Sequence, residues 1–161
     1  MKKILVVYYS RTGITKKLAR SIVDFLSADG EEIVDTKNRA WLLWYIRAGR
    51  DAALKRQTTI QRMISNPSDY DIVCIWTPVW DFAMSAAVRT YLTMYEKQLP
   101  ASLIFFCTQA SSWAETAIQE MANIVGKKPT TTIVFSSKEI SRDSYQEELK
   151  KQLIQAWIFI D

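Results

Sequence analysis

The chain has no histidine and only two cysteines, Cys74 and Cys107, among its 161 residues. Without an imidazole a Ser-His-Asp triad is excluded. Two separated thiols do not supply a zinc ligand set, and no metal is expected. Neither cysteine belongs to a C-x-x-C pair. The pattern C-x5-R is also absent, because Trp80 and Trp113 occupy the arginine positions. That excludes a phosphatase built on such a loop. Both thiols lie inside apolar runs, so they read as small buried side chains. No apolar run approaches the ~20 residues of a membrane span. The short N-terminal run breaks at Ser10-Arg11 with no small-residue cleavage site, so it reads as a strand rather than a signal peptide. A cytoplasmic location is the expectation.

Apolar residues make up 48% and charged residues 24%. These proportions suit one globular domain over 1–161 and exclude collagen-like or low-complexity architecture. A domain of this size buries roughly two-thirds of its unfolded surface. The net charge of +4 is unevenly placed. Lys37, Arg39, Arg47, Arg50, Lys55, Arg56 and Arg62 face Asp51 alone, so the basic character is one patch at 37–62.

Lys3 to Tyr9 reads as a buried strand, and apolar spacing from Ile14 predicts a helix. Ala28-Asp29-Gly30 would end that helix, with Gly30 as a left-handed cap. Glu31–Asp35 reads as a second strand. Ala40–Ile64 is helix-like, with Gly49 interrupting it. Tyr70–Thr77 is the third strand, stopped by Pro78. A helix over Met84–Tyr95 and a strand over Leu103–Cys107 follow. A helix over Ser112–Val125, a strand over Thr130–Phe135 and a helix over Ser144–Phe159 complete the chain. Continuous apolar strands alternating with amphipathic helices predict a three-layer α/β/α doubly wound fold. Its parallel sheet would have five strands. Ligands bind such sheets beyond the C-terminal strand ends, which directs attention to three loops.

The first loop, Ser10-Arg11-Thr12-Gly13-Ile14-Thr15, opens a helix. Hydroxyls, a glycine and a helix N-terminus suit a phosphate, with Arg11 adding charge. An ordinary capped helix start is the alternative. It is not a P-loop, since G-x-x-x-x-G-K-[ST] is absent. The second loop runs Thr77-Pro78-Val79-Trp80-Asp81-Phe82. Trp80 either stacks on a flat ligand or packs at the rim, and Asp81 reads as an N-cap for a helix beginning near Ala83. The third loop is Thr108-Gln109-Ala110-Ser111-Ser112-Trp113. It offers backbone donors and small polar side chains to a heterocycle edge, or simply caps a helix through Ser111 or Ser112.

Taken together, these loops resemble those of the flavodoxin family. Ser10, Thr12, Gly13 and Thr15 match its phosphate loop S/T-x-T-G-x-T. Asp71 to Leu92 is similar to its third strand, flavin loop and following helix, and Leu103 to Ser111 to its fourth strand and second flavin loop. The resemblance implies a flavodoxin-like domain, its five strands in the order 2-1-3-4-5, binding flavin mononucleotide (FMN). Ser10, Arg11, Thr12, Gly13, Ile14 and Thr15 would wrap the phosphate. Pro78, Val79 and Trp80 would flank the ring, and Thr108, Gln109, Ala110 and Ser111 would meet its pyrimidine edge. Ile14, Phe82 and Ala110-Ser111 depart from the family pattern, which more often has a polar residue or glycine there.

The implied function is passage of electrons through non-covalently bound FMN, with no residue marked as a protein acid, base or nucleophile. Two alternatives stay open. One is an NAD(P)H-dependent flavin or quinone reductase; the other is a flavin-free binding module on the same fold. The basic stretch 37–62 suits docking of an acidic redox partner, the phosphates of a nicotinamide cofactor or a membrane surface. The plainer reading is a sheet-covering helix with a solvated basic face. No nucleic-acid motif accompanies it, so nucleic acid is not an expected partner.

Overall fold

Alternation along β1 (Ile4–Tyr8) sends Ile4, Val6 and Tyr8 to one face and Leu5 and Val7 to the other, and all five are buried. A strand buried on both faces needs cover on both. In the computed structural model, which describes residues 2–36, 57–80, 83–109, 113–136 and 145–158, helices supply that cover. After β1 come α1 (Ile14–Leu26), β2 (Asp29–Glu32), β3 (Ile72–Trp80), β4 (Ala83–Met84) and α2 (Ala86–Tyr95). They are followed by β5 (Ser102–Gln109), α3 (Ala114–Val125), β6 (Thr131–Ser136) and α4 (Tyr145–Ile158).

The sheet order is β2-β1-β3-β5-β6, all parallel, with β4 pairing antiparallel to β3. Leaving out the two-residue β4, this is the expected five-strand order. α1 and α4 cover the face carrying Val6, Cys74, Trp76 and Phe106. α2 and α3 cover the face carrying Val7, Ile75, Phe105 and Cys107. Trp76 is fully buried and stacks on Phe106 and Phe135, at 4.9 and 5.9 Å between ring centroids. Both thiols are buried and free. Among the described residues, no helix is long and apolar enough to cross a membrane.

Four local expectations are corrected. α1 ends at Leu26, and Ser27 rather than Gly30 takes the left-handed position, with φ 49°. Gly30 lies in β2 opposite Val6. There, a Cβ would fall 2.7 Å from Val23 Cγ2, so the strand needs glycine for space against α1 rather than for a turn.

Pro78 does not stop β3, which continues to Trp80 while Pro78 pairs with Thr108. The Trp76 carbonyl accepts the Tyr9 N–H, so alternate residues, Pro78 included, turn their backbone groups toward β1. The β1–β3 pairing ends at Tyr8 opposite Trp76, so the missing proline N–H removes no ladder bond.

The helix expected over 40–64 is not present in its described part. Asp35 and Ile60 form an antiparallel bridge instead, and Gln61 N–H donates to Val34 O. The side chains of Ile60 and Met63 pack into the α2–α3 face, which extended backbone allows and the wet helical pattern did not predict. Residues 37–56, which carry most of the basic patch, lie outside the described residues. The cap of α2 is Ser85, whose Oγ accepts from Val88 N–H, and not Asp81. Ala83 and Met84 are held in β4, so the helix starts later than expected and its cap moves with it.

Candidate functional site

β1, β3 and β5 end at one sheet edge, and each is followed by one of the three loops singled out in the sequence. The first loop is shaped by Gly13, the N-cap of α1, with φ 86°. An added Cβ there would touch nothing within 4 Å, so glycine is needed for its backbone conformation and not for space. Gly13 O starts the helix by accepting Lys17 N–H at 2.9 Å, and Ser10 Oγ accepts Lys16 N–H at 3.0 Å. Ser10 thus works as a side-chain cap from outside the helix. The first-turn amides have no intrahelical acceptor, by helix geometry. Arg11, Thr12, Gly13 and Ile14 are exposed, Ile14 by 37%. Thr15 turns inward and is buried.

Thr15 Oγ1 lies 3.2 Å from Thr108 Oγ1, near the end of β5. The first and third loops are therefore joined by their side chains. The register makes this contact: Thr108 follows Ile104 and Phe106 on the face that α1 covers. Lys16 Nζ pairs with Glu32 at 2.5 Å, tying the start of α1 to β2. Burial pushes the Tyr8 phenol above its ordinary value, and Glu32 adds to this.

In the second loop, Pro78 is buried and Val79 half-buried. Val79 and Trp80 pair with Met84 and Ala83. The side chain of Trp80 and residues 81 and 82 lie outside the described residues, so the expected ring stack and the Phe82 departure have no structural counterpart here. Sequence reasoning missed the clasp beneath this loop. Thr77 Oγ1 accepts Ser85 N–H at 3.0 Å, and both residues are fully buried. A buried threonine ahead of a proline was its only signal.

In the third loop the Gln109 side chain accepts Ala114 N–H at 2.8 Å and caps α3. It fills the role expected of Ser111 or Ser112. Its reach from the last β5 position explains the substitution. Ala110, Ser111 and Ser112 lie outside the described residues. Trp113, 43% exposed at the start of α3, stands at this edge too. The turn from small polar residues to an aromatic was the available signal for it.

The donor set fits a phosphorylated ligand: a 13-residue helix N-terminus, the hydroxyls of Thr12 and Thr15, and Arg11 beside them. Among the described residues there is no cluster of three or more His, Cys, Asp or Glu side chains suited to a metal. Burial pushes the thiols of Cys74 and Cys107 up to about 12, so neither is poised as a nucleophile.

A family model described as flavodoxin matches residues 3–157. No curated protein sequence matches the chain. Its fold is shared with a Lactobacillus acidophilus NCFM flavoprotein solved in complex with FMN, at TM-score 0.73 and 20% identity, over 88% of this chain and 98% of that one. The apo-form of the L. acidophilus flavoprotein gives TM-score 0.62 and 21% identity, over 88% and 96%. A flavodoxin, WrbA-like protein from Agrobacterium tumefaciens gives TM-score 0.52 and 14% identity, over 80% and 76%. With its match extending over nearly the whole length, the chain belongs to the flavodoxin family, an FMN-binding family.

Proposed function

We propose that this chain binds FMN non-covalently at the three-loop edge and passes electrons between redox partners. The observation that carries the reading is the Thr15–Thr108 contact, which joins the phosphate-suited loop to the end of β5. When bound, FMN supplies the redox chemistry. The chain binds and orients. The Ile14 and Thr15 amides at the start of α1, with Thr12 and Arg11, hold the phosphate, and Gly13 sets the path of the loop. Pro78 and Val79 shape one side of the ring site, held by the Thr77–Ser85 clasp. The backbone at Thr108 and Gln109 meets the ring edge, since the Gln109 side chain is committed to α3.

Partner docking follows the charge. Residues 37–62 form the basic stretch, and Arg62, at its described end, is exposed. It suits the acidic surface of a redox partner or the phosphates of a nicotinamide cofactor. Association should weaken steeply with salt.

Titrating the apo-protein into FMN and following flavin fluorescence tests the binding. Saturable quenching is expected. No quenching at high micromolar protein would mean binding weaker than about −6 kcal/mol and would leave a flavin-free module on this fold. Catalytic oxidation of NADPH by the loaded protein would replace the carrier role with that of a reductase.

A further inference from the structure

The contact between Thr15 and Thr108 joins two buried hydroxyls, 4% and 5% exposed, from residues 93 positions apart. A hydroxyl has one proton to donate and two lone pairs to accept with. When two hydroxyls bond, one gives its proton to the other, and the second keeps its own for an outside group. The outer neighbours decide the direction. Thr15 sits in the first turn of α1, where backbone amides and the helix dipole favour an anion. A phosphate dianion can only accept. It orders the pair in one sense: Thr108 donates to Thr15, and Thr15 donates outward. Thr108 is then left with lone pairs and no proton to offer the rest of the site.

We infer that Thr15 and Thr108 form a two-hydroxyl relay through which a phosphate at the start of α1 sets Thr108 as an acceptor. The relay couples the phosphate end of the site to its ring end. This rests on the FMN reading and deepens it, because it gives the chain a way to prefer phosphorylated flavin beyond the attraction of the phosphate itself. Thr15 meets the phosphate directly, and Thr108 is a positioning residue. In this fold they also stiffen the junction of α1 with β5, a structural role that the test must separate.

The test is a double-mutant cycle of Thr15→Val, Thr108→Val and the pair, read as dissociation constants for FMN and for riboflavin. Apo-protein melting temperatures run alongside. Each single change should weaken FMN binding by roughly tenfold. The double change should fall short of their product by about fivefold or more. With riboflavin the effects should multiply to within about twofold. Thr15→Ser and Thr108→Ser should restore FMN affinity. Alanine at both positions gives the same cycle if a buried valine unfolds the apo-protein. FMN losses that simply multiply, or equal coupling with riboflavin, would overturn the relay while leaving the cofactor reading intact. Wild-type protein that binds neither flavin would overturn both.

Discussion

Arg89 on α2 and Glu120 on α3 form a two-pronged ion pair inside the helix layer, with 5% and 11% of their side chains exposed. The Arg89 Nε has no partner, so the guanidinium is already short of one bond. Removing the carboxylate strands a buried cation. Glu120→Ala should therefore cost about 3–5 kcal/mol. Replacing both residues by apolar ones of similar volume should come out near neutral or better, by the same physics. Urea unfolding of the single and double variants checks this. A single variant as stable as the wild type would show that the pair is not shielded from water.

Gly13 and Gly30 are needed for different reasons, and their alanine variants should behave differently. At Gly13 the barrier is the left-handed backbone, with free space around the Cβ. Gly13→Ala should cost about 1–2 kcal/mol, and Gly13→Asn less. At Gly30 the barrier is Val23, a β-branched side chain whose χ1 is restricted in a helix. Gly30→Ala should cost about 1–3 kcal/mol. Adding Val23→Ala should recover part of that loss, and the same second change should not help Gly13→Ala. Thermal melts of the five variants distinguish the two mechanisms.

The Thr77 hydroxyl accepts Ser85 N–H and donates to Pro78 O, each at 3.0 Å. Thr77→Val leaves a buried amide unsatisfied beneath the second loop. It should cost about 1–3 kcal/mol of stability. It should also weaken FMN binding, since it loosens the segment that carries Pro78, Val79 and Trp80. Quenching titrations that leave affinity unchanged would place the clasp in the scaffold alone.

The two thiols make the fold sensitive to alkali. Burial pushes Cys74 and Cys107 from an ordinary 9.0 up to about 12. Above pH 9 the unfolded chain loses these protons and the folded chain keeps them, so the unfolded state binds fewer protons and stability falls as pH rises. The stability held below pH 9 is lost progressively between 9 and 12. The raised phenols of Tyr8 and Tyr91 act in the same direction from their ordinary 10.0. Free energies of unfolding measured from pH 8 to 10 should decline in the wild type and decline less in Cys74→Ala/Cys107→Ala. Native protein at pH 8 should resist thiol reagents until unfolded. Rapid labelling in the folded state would contradict the burial.

Much of the fold was legible because local pattern and tertiary role agree. The alternating apolar residues of β1, and the continuous run Ile72-Val73-Cys74-Ile75-Trp76, demand a sheet covered on both faces whatever their neighbours are. The start of α1 was readable for a similar reason: a glycine where a strand gives way to a helix already sets the left-handed backbone that Gly13 adopts, with φ 86°. Gly30 and Pro78 were misjudged because what fixes them is remote. Whether a glycine serves a turn or a close approach depends on Val23 across the α1–β2 junction. Whether a proline breaks a strand depends on β1 ending opposite Trp76. The stretch 57–64 carries a helical pattern, yet it pairs with Val34–Thr36 and packs on the sheet. By itself, the sequence determined the layered architecture, the strand order through the family resemblance, and the three loops of the candidate site. Only the tertiary structure decided that Thr15 meets Thr108. That contact depends on the register of β5 and the seating of α1, and no spacing along the chain encodes either.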